Sequence, residues 1–421
     1  MKIFISIKQT TLLLAVSALF FTSCNKLKLE PTLPDTPVQP ATPTLATLLD
    51  GPDFSLLKAA VTKGGLMPTL ANPNLRFTVF APDDAAIVAS LGVPDVATAA
   101  GYIASRPDAE IGGLVSYHVI PQQIKAASIS TAFPNFEYPS IINPAPTVNP
   151  LLRLSNFPSV RPALGAWVNN VPIVGTDITA VNGVVHKVFR LVVPPTKDLW
   201  ETIAADPELT FLEAAINRAD SGALKTDSLR YAISLVTNPL SIGSNLTIFA
   251  PNDDAMKAFL IGAITKTLVG QGVPLATAQS TATFAVNTFG LAIVTDPYNL
   301  LPPPYNAQLA SALTPTVVKG LLVYHIVSAQ TAPFKPSGIR VFSVNMPTTA
   351  TDVKTLLNTV FAPHPGVKVQ ASFASPAPGI SVVTAATVKG AANATASNVV
   401  AKDIHCVNGV IHKIDQVLLP Q

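Results

Sequence analysis

The stretch FTVFAPDDA at residues 77–85 decides the fold, because it returns as LTIFAPNDD at residues 246–254. Two further phrases follow it in the same order, once in each half of the chain. They are YHV at 117–119 and VNGVVHKV at 181–188, matched by YHI at 324–326 and VNGVIHKI at 407–414. Three matches in one order indicate a duplicated unit of structure. The rest of the chain is therefore interpreted as two copies of one fold.

The opening phrase predicts a strand, a turn and the start of a helix. Residues 76–80 are rich in β-branched and aromatic side chains and are bounded by Pro and Asp, as is typical of a strand. Asp83 and Asp84 in the first copy, and Asn252 and Asp253 in the second, supply N-cap side chains before an Ala-rich segment.

The closing phrase predicts a β-hairpin. Asn-Gly at 182–183 and at 408–409 lies between apolar runs, which is the strongest short hairpin signal in a sequence. We expect the following residues, 184–193 and 410–419, to be strands that enter a core. A helix over 53–63 is predicted near the start of the first copy, with Asp53 as its N-cap and Gly64-Gly65 as its stop.

The order Thr-x-Phe-Ala-Pro, Tyr-His, Asn-Gly-x-x-His resembles the fasciclin domain, over roughly 44–195 and again over 199–420. The resemblance implies an α+β fold with two tandem fasciclin-like domains, each a β-sandwich or wedge flanked by several α-helices. It also implies an extracellular role in adhesion or matrix binding without catalysis. We expect the residues that carry it to be structural: Thr78, Pro82, Asp84, Asn182, His186, Thr247, Pro251, Asp253, Asn408 and His412.

The two copies differ at their ends and in their lengths. The first copy has Phe189 where the family usually has Asp, whereas 407–420 stays close to the family pattern. The second domain, 199–421, carries about 38 extra residues before its Tyr-His phrase, within about 262–315, and about 19 more after it, within 330–400. The bridge at 194–198 is short, so we expect the two domains to touch.

The N-terminus predicts export and lipid attachment. Lys2 and Lys8 form a basic region before an apolar run at 11–21 that is too short to span a membrane, so 1–23 is interpreted as a signal peptide. FTSC at 21–24 resembles the bacterial lipobox, which implies cleavage before Cys24 and acylation, for instance by palmitate, at that residue. The alternative is an ordinary signal peptide followed by a coincidental cysteine. We expect attachment to the cell envelope, at the outer membrane.

Residues 24–43 predict a tether between the lipid and the first domain, 44–195. Its prolines recur at every third position, which places them on one face of a polyproline II rod, at Pro31, Pro34, Pro37, Pro40 and Pro43. A disordered linker with accidental spacing is the alternative. Either form holds the first domain away from the membrane.

Composition narrows the class of partner. Charged residues make up 12% of the chain and the formal net charge is +3, without a basic run, so nucleic acid is not an expected partner. The two cysteines are Cys24 and Cys406. If Cys24 carries lipid, Cys406 has no partner for an intramolecular disulfide. We expect Cys406 to be a buried small residue rather than a reactive thiol.

The sequence offers two sets of candidate partner-binding residues. One is the Tyr-His phrase, a region that the family resemblance links to receptor binding, and the alternative is that both side chains are buried and bonded to backbone. The other is the proline-rich loop 296–305 in the second domain. The candidates are Tyr117, His118, Tyr324, His325, Tyr298 and Tyr305.

Catalytic and metal sites are not predicted. His405 and His412 are seven residues apart, with a hairpin turn between them, which is not a metal-ligand spacing. No nucleophile elbow, zinc-protease, Walker A or dinucleotide glycine pattern occurs. The adjacent acids at 83–84 and 253–254 are placed as helix starts. We therefore expect neither enzyme activity nor a cofactor.

The leading functional hypothesis is a monomeric, surface-anchored lipoprotein that binds an extracellular protein or glycan in adhesion. Two alternatives stay open. One is a binding module for a small hydrophobic ligand, such as a pigment or lipid, because the chain is apolar and poor in charge. The other is an accessory component of a glycan-uptake system at the outer membrane.

Overall fold

The computed structural model describes residues 43–147, 149–297, 310–327, 339–377 and 379–421. These residues belong to one compact unit, Thr42–Gln421. The predicted signal peptide, Cys24 and the proline tether lie outside the described residues.

The strands of the first half form one large sheet and one short pair. Those described are β1 (Phe77–Pro82), β2 (Val119–Ile120), β3 (Tyr138–Pro139), β4 (Ser155–Asn156), β5 (Pro158–Arg161), β6 (Gly165–Val168), β7 (Val171–Ala180) and β8 (Gly183–Val188). Six of them form a sheet in the order β2-β1-β8-β7-β6-β5, and β3 pairs with β4.

The second half builds a matching sheet. Its described strands are β9 (Leu246–Pro251), β10 (Ile326–Val327), β11 (Thr351–Val353), β12 (Val367–Ala377), β13 (Ile380–Lys389), β14 (Ser397–Cys406) and β15 (Gly409–Ile414). The sheet order is β10-β9-β15-β14-β13-β12-β11, which repeats the first order with one strand added at the edge.

Helices precede the first strand of each sheet and connect it to the second. In the first half they are α1 (Leu45–Leu48), α2 (Ser55–Lys63), α3 (Met67–Ala71), α4 (Asp84–Leu91), α5 (Val96–Ser105) and α6 (Asp108–Tyr117). In the second half the described ones are α7 (Leu199–Ala205), α8 (Thr210–Ala219), α9 (Leu229–Ile233), α10 (Asp253–Gly270), α11 (Leu275–Phe289), α12 (Ala292–Thr295) and α13 (Pro315–Tyr324). We call the part from α1 to Val193 the N-terminal repeat and the part from α7 onward the C-terminal repeat.

The three repeated phrases meet in the sheet. Strand β8 runs parallel to β1 with Phe77 opposite Gly183, and β15 runs parallel to β9 in the same register, with Leu246 opposite Gly409. The strand after the Tyr-His phrase pairs antiparallel on the other side of β1 or β9. All residues of β1 and β9 are buried. The predicted strand, turn and helix of the opening phrase and the predicted hairpin are confirmed.

Two local predictions are corrected. The strands predicted over 184–193 and 410–419 end earlier, at Val188 and Ile414. Helix α2 begins at Ser55, and Asp53 is not its cap: the Asp53 carboxylate pairs with Lys187 Nζ at 3.0 Å.

The N-terminus of α2 is instead capped by Asp84, from another helix. The Asp84 carboxylate accepts from Leu56 N at 2.8 Å and from Ser55 Oγ, while Asp83 is the N-cap of α4 itself. Asp253 makes the same contacts in the second copy, accepting from Phe211 N at 2.9 Å and from Thr210 Oγ1 at 2.6 Å. The adjacent acids therefore start one helix and hold the start of another.

The extra length of the second copy lies in helices and in a hairpin. Helix α10 has 18 residues where α4 has 8. After the Tyr-His phrase, β12 and β13 have 11 and 10 residues where β5 and β6 have 4 each. Tyr298 and Tyr305, the candidates in the proline-rich loop, lie outside the described residues.

Each repeat has its own core, and a further core is shared between them. Phe157 and Trp167 of the N-terminal repeat pack in one cluster with Phe249, Phe342 and Val369 of the C-terminal repeat. The repeats therefore touch, as the short bridge predicts. Within the described residues, no single helix is long and apolar enough to cross a membrane, although α4 and α5, bent by 69°, meet that test as a pair.

Candidate functional site

The Tyr-His histidines are buried and neutral. His118 is 1% exposed, its Nε2 accepts from Val192 N at 3.0 Å, and its Nδ1 lies 2.9 Å from Leu114 O. Because Nε2 accepts a hydrogen bond, the ring proton lies on Nδ1. The second copy repeats both contacts, from Leu418 N to His325 Nε2 at 2.9 Å and from His325 Nδ1 to Leu321 O at 2.9 Å.

Burial lowers the pKa of His118 and of His325 to about 4, although the backbone hydrogen bond on Nδ1 acts in the opposite direction. Protonation of Nε2 would use the lone pair that accepts the backbone N–H and would break that hydrogen bond. The imidazole thus ties the end of the preceding helix to the segment that follows the last strand of its repeat.

The tyrosines of the phrase are fully buried. Tyr117 Oη donates to Ser155 O at 2.9 Å, and Tyr324 Oη donates to Gly366 O at 2.6 Å. The side chains of all four Tyr-His residues are thus engaged inside the fold. Partner binding at this phrase stays a prediction, and with these rings buried it would have to use the surface that they support.

The other motif residues hold loops and turns from inside. Thr78 Oγ1 accepts from Ile124 N at 2.7 Å, and His186 Nε2 donates to Ile124 O at 2.8 Å, so both backbone groups of one residue are fixed. In the second copy Thr247 and His412 hold Val341 in the same way, at 2.9 and 2.8 Å. Burial lowers the pKa of His186 and of His412. Pro82 and Pro251 end the buried strands β1 and β9.

The asparagine of each Asn-Gly dipeptide joins the hairpin turn to neighbouring helices through side-chain hydrogen bonds. Asn182 Oδ1 accepts from Leu45 N at 2.8 Å and its Nδ2 donates to Leu70 O at 2.8 Å, which ties the first and third helices to the turn. Asn408 does the same for Leu199 N and Ile233 O, both at 2.9 Å. Gly183 follows at a point where a Cβ would lie 2.2 Å from Phe77 O.

A polar network at the contact between the repeats is absent from the sequence-based expectations. At its centre is Arg340, which is 2% exposed. Its guanidinium donates to backbone and side-chain acceptors and lies 4.8 Å from the centre of the Phe157 ring. The acceptors are Asn245 Oδ1 at 2.8 Å, Cys406 O at 2.8 Å, Val407 O at 2.5 Å and His405 Nε2 at 2.7 Å.

The charge of Arg340 is balanced through an amide. Asn245 Nδ2 donates to Glu137 Oε2 of the N-terminal repeat at 2.9 Å, so a carboxylate, an amide and a guanidinium form a chain across the contact. Burial lowers the pKa of Arg340. His405 accepts from a permanent cation, and burial together with Arg340 holds its pKa well below the usual range.

The long β12–β13 hairpin forms the other part of the contact. Trp167 Nε1 donates to Ser381 O at 3.2 Å, and the indole lies 6.2 Å from the Phe373 ring, centre to centre. The Arg161 guanidinium lies 5.2 Å from the same Phe373 ring. One of the two predicted insertions of the second domain therefore packs on the first repeat.

Sequence reasoning missed Arg340 because its neighbours give no motif. Val341 and Ile124 hold equivalent places, since each is fixed by the threonine and histidine of its own repeat. Arg340 therefore corresponds to Gln123, which is exposed. An arginine without a counterpart in the other repeat, next to a residue that has one, is a sequence signal that could have singled out Arg340. Its burial, however, follows only from the packing of the two repeats.

The described residues contain no group of three or more His, Cys, Asp or Glu side chains arranged to hold a metal. Cys406 is buried, as its place beside the hairpin predicts, and burial raises the pKa of its thiol to about 11.

Beside this network lies a cleft of about 460 Å³ between the repeats. One wall is the start of β7 and the segment after β8, and the other is formed by β13 and β14. By contrast, an apolar pocket within each repeat, lined by described residues, measures about 30 Å³ in the N-terminal repeat and about 10 Å³ in the C-terminal repeat, too little for an organic ligand.

Comparison with known proteins gives one family. Residues 52–194 match the model of the fasciclin domain. Among solved structures, a pair of FAS1 domains from the insect cell adhesion molecule fasciclin I matches at 13% identity, over 86% of this chain and 95% of that chain, with a TM-score of 0.30. A search of curated proteins finds no match.

Proposed function

We propose that this protein is a non-catalytic binding protein of the cell surface, because residues 52–194 match the fasciclin domain and the second half repeats the sheet order of the first. It acts in adhesion, through an extracellular protein or a glycan. It is exported and held at the outer membrane by lipid on Cys24.

The internal use of the repeated residues supports this proposal. The shared phrases place their Thr, His, Asn and Tyr side chains in hydrogen bonds that hold the fold, as His118, His186 and Asn182 show. Residues used in this way are not available for turnover of a substrate. Recognition then depends on the exposed surface of the two repeats.

Binding is tested with an array of matrix proteins and glycans probed by the full chain. The full chain is required because Phe157 and Trp167 are buried in a core that both repeats share. We expect saturable binding to at least one class of array component. Absence of binding across the array, with a folded protein confirmed by circular dichroism, contradicts the adhesion proposal.

The lipid anchor is tested separately by metabolic labelling with radioactive palmitate. We expect the chain to be labelled and its Cys24→Ala variant to stay unlabelled, because the thiol is the only acceptor that the lipobox provides. Cys406→Ala is the matched control and should label fully. Equal labelling of wild type and Cys24→Ala contradicts the anchor but leaves the adhesion result unaffected.

The proline-rich loop is tested by deleting residues 296–305 from the full chain. If the loop contributes Tyr298 and Tyr305 to recognition, the deletion weakens binding to the array component that the wild type selects. Unchanged binding contradicts the role of the loop.

A further inference from the structure

We propose that the cleft between the two repeats binds a small amphipathic anion, a carboxylate or related group carried on an apolar ring or short chain. The volume of about 460 Å³ falls within the range of roughly 300–1,000 Å³ that holds small organic ligands. This proposal does not rest on the adhesion proposal, since it is argued from the shape and lining of the cleft alone.

The cleft contains an excess of unpaired positive charge. Arg190 and Lys402 face it from opposite repeats, both are exposed, and within the described residues neither forms a salt bridge. The carboxylate that lines the cleft, Asp403, already accepts from the backbone N and the hydroxyl of Ser343. An anion is therefore the charge that the cleft would attract, and it could bridge the two repeats.

The rest of the lining is largely apolar. Val171, Leu191 and Val193 contribute from one repeat, and Val344 and Val383 from the other. These side chains cannot form hydrogen bonds with a ligand. An apolar ring or chain that packs against them therefore contributes binding free energy in addition to that of the anionic group.

Phe189 sets this repeat apart from its copy. Its backbone N donates to Pro172 O, and the equivalent backbone bond of the C-terminal repeat runs from Asp415 N to Asn398 O. The Asp415 side chain is engaged by Ser397 Oγ at 2.8 Å and Asn398 N at 2.8 Å, whereas the Phe189 ring lines the cleft and is 39% exposed. Because the N-terminal repeat has Phe189 where the C-terminal repeat has Asp415, this position gives the cleft an apolar surface instead of a negative charge.

Calorimetric titration of the full chain, in detergent matched between cell and syringe, tests the site. The probes are 2-naphthoate for a ring anion, octanoate for a chain anion, acetate for an anion without an apolar body and 2-naphthalenemethanol for the neutral ring. We expect at least one of the first two to bind at a single site, and the last two to bind at least about tenfold more weakly. Which of the first two binds more tightly distinguishes a ring from a chain.

Two variants place the binding in the cleft. Arg190→Gln combined with Lys402→Gln should weaken the tighter anion by about tenfold or more, and Phe189→Asp should weaken it as well. Lys125→Gln combined with Lys225→Gln removes two exposed charges outside the cleft and should leave binding unchanged. All changed residues are exposed, so we expect unaltered melting temperatures.

Three results would overturn the site. They are the absence of binding by both amphipathic anions, equal binding of 2-naphthalenemethanol, and unchanged affinity in the Arg190 and Lys402 double variant. Each can occur while adhesion to the array persists, so a failure of this site is distinguishable from a failure of the proposed function.

Discussion

At the scale of the residue, the buried histidines make stability depend on pH. His118 and His325 each accept a backbone N–H on Nε2 and have a pKa of about 4 in the folded chain. In the unfolded chain a histidine has a pKa of about 6.5. Between these values the unfolded state binds more protons than the folded state. Their stabilisation is therefore full above pH 6.5 and is lost as the pH falls toward 4.

We expect the free energy of unfolding to fall by roughly 2 kcal/mol per histidine between pH 7 and pH 5, from these two residues alone. Urea titrations at the two pH values measure the fall. His118→Gln keeps a donor and an acceptor but does not titrate, so it should reduce the fall by about the share of one histidine. A fall of unchanged size in His118→Gln would contradict the assignment.

Two glycines are required by the close approach of neighbouring strands. A Cβ on Gly183 would lie 2.2 Å from Phe77 O, and one on Gly409 would lie 2.3 Å from Leu246 O. We expect Gly183→Ala and Gly409→Ala to destabilise by about 2 kcal/mol or more, because the backbone of β1 or β9 has to move.

Gly262→Ala is the matched control for these substitutions, since it lies in helix α10 with no atom within 4 Å of the new Cβ. It should be neutral or stabilising by up to about 1 kcal/mol. Thermal melts of the three variants measure these changes in stability. A loss of stability at 183 and 409 no larger than that of the control would contradict the argument from strand spacing.

At the scale of the element, helices are capped by side chains from a neighbouring helix. Asp84 is the first residue of α4, yet its carboxylate caps α2, and Asp253 serves α8 in the same way. The repeated phrase at 77–85 and at 246–254 thus holds the starts of two helices together at the end of a strand. The local N-cap signal of Asp53 was wrong because a better placed carboxylate arrives through the tertiary fold.

We expect Asp84→Ala to lower the free energy of unfolding by about 1 kcal/mol, since the Leu56 amide loses its acceptor. Asp254→Ala is the control. Its side chain is 93% exposed and its one ion pair among the described residues is 3.9 Å long, so it should change stability by less than about 0.5 kcal/mol. Equal effects of the two substitutions in urea titrations would argue against the long-range cap.

At the scale of the whole molecule, the two repeats behave as one folded unit because they share a core. Trp167 is 1% exposed and inserts between the repeats, with its indole N–H bonded to Ser381 O. Arg340 is buried against the Phe157 ring, in a network that reaches Glu137 of the other repeat through Asn245. Unfolding one repeat would expose both groups, so we expect a single cooperative transition.

We expect Trp167→Ala to cost about 3–5 kcal/mol and to separate the transition into two in scanning calorimetry, because the contact is lost while each repeat keeps its own core. Phe284→Ala removes an aromatic side chain that is 66% exposed on α11 and should leave the single transition in place. A single transition at a nearly unchanged temperature in Trp167→Ala would show that the repeats are not coupled through this ring.

Much of the fold could be predicted because its signals are local. Asp83 and Asn252 start helices and the Asn-Gly phrases start hairpins through contacts within a few residues. The burial of Tyr117 and His118 was open in the sequence, since the same side chains suit a surface or a core. Arg340 could not be placed, because an arginine is buried only where the fold provides acceptors for its guanidinium.

The sequence by itself determined the duplication, the order of strands and helices around each repeated phrase and the character of the hairpins, because these depend on backbone preferences and neighbouring side chains. Only the tertiary structure decided that Asp84 caps a helix 28 residues away, that the long hairpin of the second repeat packs on Trp167, and that Arg190 and Lys402 face one cleft. The physical reason is that these contacts join residues far apart in the chain, whose burial and distance are set by the packing of two whole repeats.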